Sequence, residues 1–193
     1  VWLLLWGGLN GLYLSSDVFN AYVLLEITGL AAVGLTVLSG STTSLVAGLR
    51  YLLAAMFGSL MYLLGVALLY SAVGQLDYFA LGREVTPRVS VLAAFGLMVF
   101  GLLLKTALLP FHFWLPPAHS SAPAPVSAVL SALVVKGSFF LLLRVWFVVF
   151  EPFSRHAVGH WGARLLACMG ALAVIWGSFQ AVRQSRLKPM VAY

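Results

Sequence analysis

The chain has 193 residues, of which 62% are hydrophobic and 8% charged, with a mean hydropathy of +1.03. Soluble domains carry about a quarter charged residues, so this composition excludes a soluble globular protein and predicts an all-α, multi-pass membrane protein. The net charge of +6 then reflects basic residues at helix ends and is no argument for nucleic acid; the lone cysteine, Cys168, excludes an internal disulfide or a cysteine-ligated cluster.

About 20 apolar residues cross the hydrocarbon core, which predicts about six spans. The first, Val1 to Leu14, opens on VWLLLWGG without an initiator Met or a basic leader region. It reads as a span entered partway, and the chain as a piece of a longer protein. Ser15, Ser16 and Asp17 then offer side-chain caps for a second helix reaching about Ser39, with one charge, Glu26, near its middle. A polar turn, SGSTTS, leads to a third helix, about Leu45 to Val73, with Arg50 near its start. Residues 74–88 hold Asp77, Arg83, Glu84, Pro87 and Arg88, which predicts a solvated connection.

The fourth segment starts near Val89 and meets Lys105, then Pro110. FHFWLPPAH after it reads as a short second half-helix or an aromatic-lined loop. A fifth helix, about Val126 to Phe150, carries Lys136 centrally and Arg144 toward its end. Glu151 to Arg164 is a second polar connection with His156 and His160, and the sixth helix, about Leu165 to Val182, ends in a basic tail of Arg183, Arg186 and Lys188. Basic residues divide equally between the two faces, so the charge rule gives no orientation.

The stretch Gly101–Arg144 concentrates the unusual chemistry. Two lysines sit inside apolar runs, and five of the eight prolines and two of the four histidines lie between them. A charge at membrane depth costs roughly 2.5 to 3.5 kcal/mol on insertion scales, and broken backbone there survives only where protein or a wet cavity satisfies it. An ion or proton pathway follows from both. Glu26 and Lys105 are opposite charges on different helices. Such a pair, if its separation changes, can take up and release a proton; otherwise it is a static lock between two helices. Lys105 also lies near the C-terminal end of a half-helix, where a cation is favoured. Lys136, 31 positions further on with no acidic residue between, fits a relay of coupled lysines or a side chain that snorkels to the headgroups.

His112 and His119 flank the break, as proton carriers or as hydrogen-bonded structural residues. His156 and His160, four apart, could supply half a zinc site but lack a third ligand at a suitable spacing. The six tryptophans mostly fit interfacial anchoring, with Trp114, inside the break, the exception. Gly58, Gly65, Gly96 and Gly101 read as close-packing positions rather than a phosphate loop. No nucleotide site or nucleophile triad is present.

The run KTALLPFHFWLPPAHSSAPAPVSAVLSALVVKGSFFLLLR resembles the signature of antiporter-like subunits of respiratory complex I and of Mrp-type cation/proton antiporters. DVFNAYVLLEI is similar to that family's glutamate-bearing helix and leans toward the D-type Mrp subunits; RYLLAAMFGSLMYLLGVALLY and RLKPMVAY are also similar to family segments. The resemblance implies a proton-pathway set of Glu26, Lys105 on the broken helix, Lys136 as the connecting lysine, and His112 and His119. It implies a fragment of a larger inverted-repeat bundle of about fourteen helices, this chain holding the first repeat and the start of the second as a single transmembrane domain. Protons or sodium would be the cargo, other membrane subunits and the bilayer the partners, a bacterial inner membrane the location, and no cofactor or metal would be bound. Complex I itself, a haem- or metal-binding membrane enzyme, and a non-transporting scaffold are the rival readings. One departure stands in the motif: Pro117 replaces a usual acidic residue, giving WLPPAH.

Overall fold

In the computed structural model, residues 1–150 and 157–193 are described; His156, and with it the paired reading of His156 and His160, lies outside them. The described residues are mostly helical, with an isolated bridge and no strand among them. α1 runs Trp2–Leu14, α2 Val18–Thr36, α3 Thr42–Val73, α4 Tyr78–Glu84 and α5 Val89–Lys105. After a 3-10 turn at Phe111–Trp114 come α6, Leu115–Ser121, α7, Ala124–Val149, α8, Ala157–Val182, and α9, Leu187–Ala192. Among the described residues four helices are long and apolar enough to cross a membrane: α2 with its following turn, α3, α7 and α8. The shorter α5 is also apolar.

Local chemistry sets these boundaries. Asp17 Oδ1 accepts from Phe19 and Asn20 N–H, each at 2.7 Å, and starts α2. Ser41 Oγ caps α3 through Ser44 N–H at 3.2 Å, and Gly74, at φ 74°, ends it in the left-handed region that glycine tolerates. Asp77 repeats the Asp17 device 60 residues on: its Oδ1 accepts from Phe79 and Ala80 N–H, both at 2.9 Å. The two caps are joined by an antiparallel bridge, with Val18 N–H donating to Leu76 and Tyr78 N–H to Ser16. Arg144 of α7 closes the same knot by donating to the Ser15 carbonyl while its guanidinium lies 4.3 Å from the Tyr78 ring centre.

The expected solvated connection at 74–88 is therefore only partly solvated. It contains α4, whose Tyr78 and Leu81 are wholly buried against the end of α7. The expected basic tail is also structured. α9 returns to pack on α6, and Lys188 donates to the carbonyl of Ala122. α8 begins at Ala157 rather than near Leu165, because the polar residues from His160 to Arg164 are helical.

α3 and α5 form the closest pair. A Cβ added at Gly101 would fall 2.9 Å from Tyr62 N, one at Gly58 2.9 Å from the Gly101 carbonyl, and one at Gly65 2.7 Å from the Ala94 carbonyl. These three glycines allow the backbones to meet; Gly96, expected to do the same, has nothing within 4 Å. Trp146 departs from the interfacial expectation: it is buried, 5.0 Å from Phe95 by ring centres.

Candidate functional site

The break after α5 positions the central lysine. Lys105 is the last residue of α5, with Thr106 at the C-cap and Ala107 at φ 54°. Ala107 N–H donates to the Leu104 carbonyl at 3.2 Å and Leu108 N–H to Leu103 at 3.3 Å, the pattern of a Schellman cap with alanine in the place glycine usually takes. Two side chains add to these bonds. Thr106 Oγ1 donates to Leu102 at 2.6 Å, and the Trp114 indole donates to Leu104 at 2.9 Å. Trp114 is itself held by stacking on Tyr51 of α3, 4.3 Å between centres and 6° from parallel. The peptide Leu109–Pro110 is cis, and α6 follows as the short half-helix that was one of the two expectations for FHFWLPPAH.

Lys105 Nζ lies 3.5 Å from Glu26 Oε1, with the two side chains 7% and 24% exposed. The two charges expected on separate helices do meet, at a distance long for a hydrogen bond and suited to an ion pair. Space around the ammonium is kept by small residues: a Cβ at Gly29 would lie 3.7 Å from Nζ, and one at Gly58 3.3 Å from Lys105 Cγ. Beside the ammonium is a cavity of about 20 Å³ bounded by Thr28, Tyr51, Ala55, Lys105, Val134 and Ser138. That is room for one water molecule. Thr28 Oγ1, on a residue 2% exposed, is buried there with no hydrogen-bond partner among the described residues. Ser138 Oγ lies 3.3 Å from Thr106 Oγ1, but Thr106 spends its proton on Leu102 and Ser138 on the Val135 carbonyl, so the two hydroxyls sit side by side between the break and α7.

Lys136 stands elsewhere. With His119 and Lys188 it lines a separate groove of about 830 Å³ between α6, α7 and α9. His119 is buried and its Nδ1 shares a 2.8 Å hydrogen bond with Ser127 of α7. His112 occupies the 3-10 turn; its Nδ1 is buried and without a partner among the described residues. The structure thus joins Glu26 to Lys105, and gathers Lys136 with His119, in two separate places, with His112 in neither. Sequence reasoning had missed Thr28, Thr106, Ser138 and Tyr51. Their signal was a hydroxyl within an apolar span, but such residues also bond silently to their own helix, as Thr36 does to Ala32 at 2.8 Å.

Known proteins resemble this chain in sequence and in fold. The family model "NADH:quinone oxidoreductase/Mrp antiporter, TM" matches residues 15–193. The N-type subunit of the NADH-quinone oxidoreductase of Desulforudis audaxviator is 39% identical, over 100% of this chain and 38% of its own length. The D-type subunit of the Na(+)/H(+) antiporter of Alkalihalophilus pseudofirmus is 30% identical, over 96% of this chain and 37% of its length. Among solved structures, an archaeal membrane-bound sulfane sulfur reductase superposes with a TM-score of 0.92 at 32% identity, covering 99% of this chain and 39% of that one. The Mrp complex of Dietzia sp. DQ12-45-1b gives 0.86 at 28% identity, covering 98% and 35%. The chain spans less than two-fifths of the curated relatives it matches. On its matched residues and its superposition alike, the chain belongs to the transmembrane family shared by NADH:quinone oxidoreductases and Mrp antiporters.

Proposed function

We propose that this chain is the first repeat, and the opening of the second, of an antiporter-like membrane subunit that moves protons or sodium within a multi-subunit complex, in a bacterial inner membrane. The observation that carries it is the Lys105–Glu26 ion pair at the end of a broken helix, 3.5 Å long and next to a cavity of water size. Two opposite charges in a low-dielectric setting hold each other's protonation state, so any movement that parts them changes the proton affinity of both. Lys136 and His119 are the next station, reached by way of the Thr28, Ser138 and Thr106 hydroxyls. His112, in the turn after the break, is assigned to the same route. The route as proposed runs through side chains and water alone and asks for no cofactor.

The test is replacement in the full-length protein. Lys105→Ala and Glu26→Gln should each abolish or sharply reduce ion transport while the complex still assembles. Normal transport in both would leave a scaffold that only braces its helices. Lys136→Ala should show an intermediate defect and Lys136→His a milder one. A place in complex I rather than an Mrp-type antiporter has one observation in its favour, the 39% identity to the NADH-quinone oxidoreductase relative against 30% to the Na(+)/H(+) antiporter relative. Co-purification of the flanking subunits decides between them.

A further inference from the structure

The two ends of this bundle differ in charge. The end holding the start of α3 and the finish of α6 also holds α9, because Lys188 reaches the Ala122 carbonyl just beyond α6. It collects Arg50, Arg183, Arg186 and Lys188, and no acidic side chain among the described residues. At the other end, Arg83, Arg88, Arg144 and Arg164 share the surface with Asp17, Asp77 and Glu84. Among the described residues, equal numbers of basic residues thus conceal an asymmetry, which the placement of the carboxylates creates.

On the basic end, Arg50 lines a groove of about 350 Å³ with Thr42, Thr43, Pro117, Ser120 and Ser121. Ser120 and Ser121 direct their hydroxyl protons to the Pro117 carbonyl, at 3.2 and 2.8 Å, and Ser41 shares one with Thr43 at 3.0 Å. The donors left over are the Arg50 guanidinium and the Thr42 hydroxyl, neither with a hydrogen bond or ion pair among the described residues. Pro117 brings no carboxylate to the groove. Depth is informative too. α3 has 32 residues, about 48 Å, against a hydrocarbon core of about 30 Å. Arg50, eight residues after Thr42, falls about 12 Å from the helix start, close to the edge of the core, a depth from which an arginine can snorkel to the headgroups.

We propose that this groove seats the phosphate of an anionic phospholipid, held by the Arg50 fork with Thr42 as a second donor, and that the surrounding basic end faces an anionic leaflet. A planar guanidinium with five donors and no acceptor among the described residues matches a phosphate at that depth, and the lipid tails have the Leu45, Leu49 and Leu53 face of α3, exposed among the described residues, to lie on. The seat is independent of the proton pathway and stands whether or not the protein transports ions.

The experiment counts lipid retained by the full-length protein, purified from vesicles of phosphatidylcholine with phosphatidylglycerol, by native mass spectrometry. Arg50→Gln should lower bound phosphatidylglycerol roughly fivefold, the effect of one basic residue at a charged surface. Pro117→Asp should lower it as well, by giving Arg50 a partner within the protein while leaving the arginine in place. Arg88→Gln, at the other end, should change nothing. Retention unchanged in Arg50→Gln and Pro117→Asp overturns the seat, as does an equal loss in Arg88→Gln, which would mean net charge alone. Displacement of the lipid by inorganic phosphate at millimolar concentration would assign the groove to a soluble anion and overturn the lipid.

Discussion

The indole of Trp114 donates to the carbonyl of Leu104, 2.9 Å away and one residue before the lysine of the ion pair. The helix break and the charged site are thus one construction: a carbonyl released by the break is answered by the ring that stacks on Tyr51 of the neighbouring helix. Trp114→Phe keeps the stack and removes the donor. Since Leu104 still accepts from Ala107 N–H, the loss should be at the low end of the roughly 1–3 kcal/mol for an unsatisfied buried group. A fall of a few degrees in the melting temperature of the purified protein checks it, with a larger fall in Trp114→Ala.

Ala107 holds φ 54° where an L side chain is disfavoured by about 1–2 kcal/mol. Ala107→Gly should therefore raise thermal stability or leave it unchanged. Ala107→Val, β-branched in the left-handed region, should lower it and weaken transport with it, because the cap it forms ends at Lys105. Equal melting temperatures for the glycine and valine variants would show that the left-handed residue is not needed.

Gly101→Ala should separate α3 from α5, as its methyl would meet Tyr62 N at 2.9 Å. Gly96→Ala, with open space, should be neutral or slightly stabilising through helix propensity. Protease resistance in detergent gives the order directly, and the reverse order would contradict the packing.

Bracing and relaying can be separated at Glu26 and Lys105. Removing one partner leaves a charge with no counterpart, whereas removing both leaves none. Lys105→Met with Glu26→Gln should thus be more stable than Lys105→Met or Glu26→Gln alone, yet transport no better than either. A double variant that recovered transport along with stability would reduce the pair to a structural clamp.

Tyr78, in α4 and outside the spanning helices, has its phenol pushed up to about 12 by burial. Its ionised form is disfavoured only in the folded state, so from about pH 10 upward the unfolded chain loses a proton that the folded one keeps. Stability should fall as pH rises between about 10 and 12, and Tyr78→Phe should make that fall shallower.

The sequence and the structure agree most closely where short-range chemistry decides. Asp17 starts α2, Gly74 ends α3, and Lys105 followed by Pro110 marks the break. The ion pair was also legible, since two charges in apolar spans must find each other or stay costly. Agreement is poorer where facing directions matter. Helices that are apolar on every side offer no stripe to show which flank meets a neighbour, so Lys136 could not be assigned to the His119 groove. α7 adds a second obstacle. Residues Leu130–Val134 and Val145–Val149 are π-helical. Each extra residue turns the following face by about 100°, which spoils any count from Ser127 to Lys136. α4 was hidden for a different reason: its charges read as solvated, while burial of Tyr78 and Leu81 depends on α7, far along the chain.

Those two widened turns have a geometric corollary. They bracket Val135–Arg144, the ten-residue cylinder on which Lys136 rides. Each π turn resets the face that the following α-helical turns present, so this segment is registered differently from the turns on either side. Lys136 therefore sits on a segment whose far end is held by Arg144 at the Ser15 carbonyl, the turn from which the Glu26 helix departs.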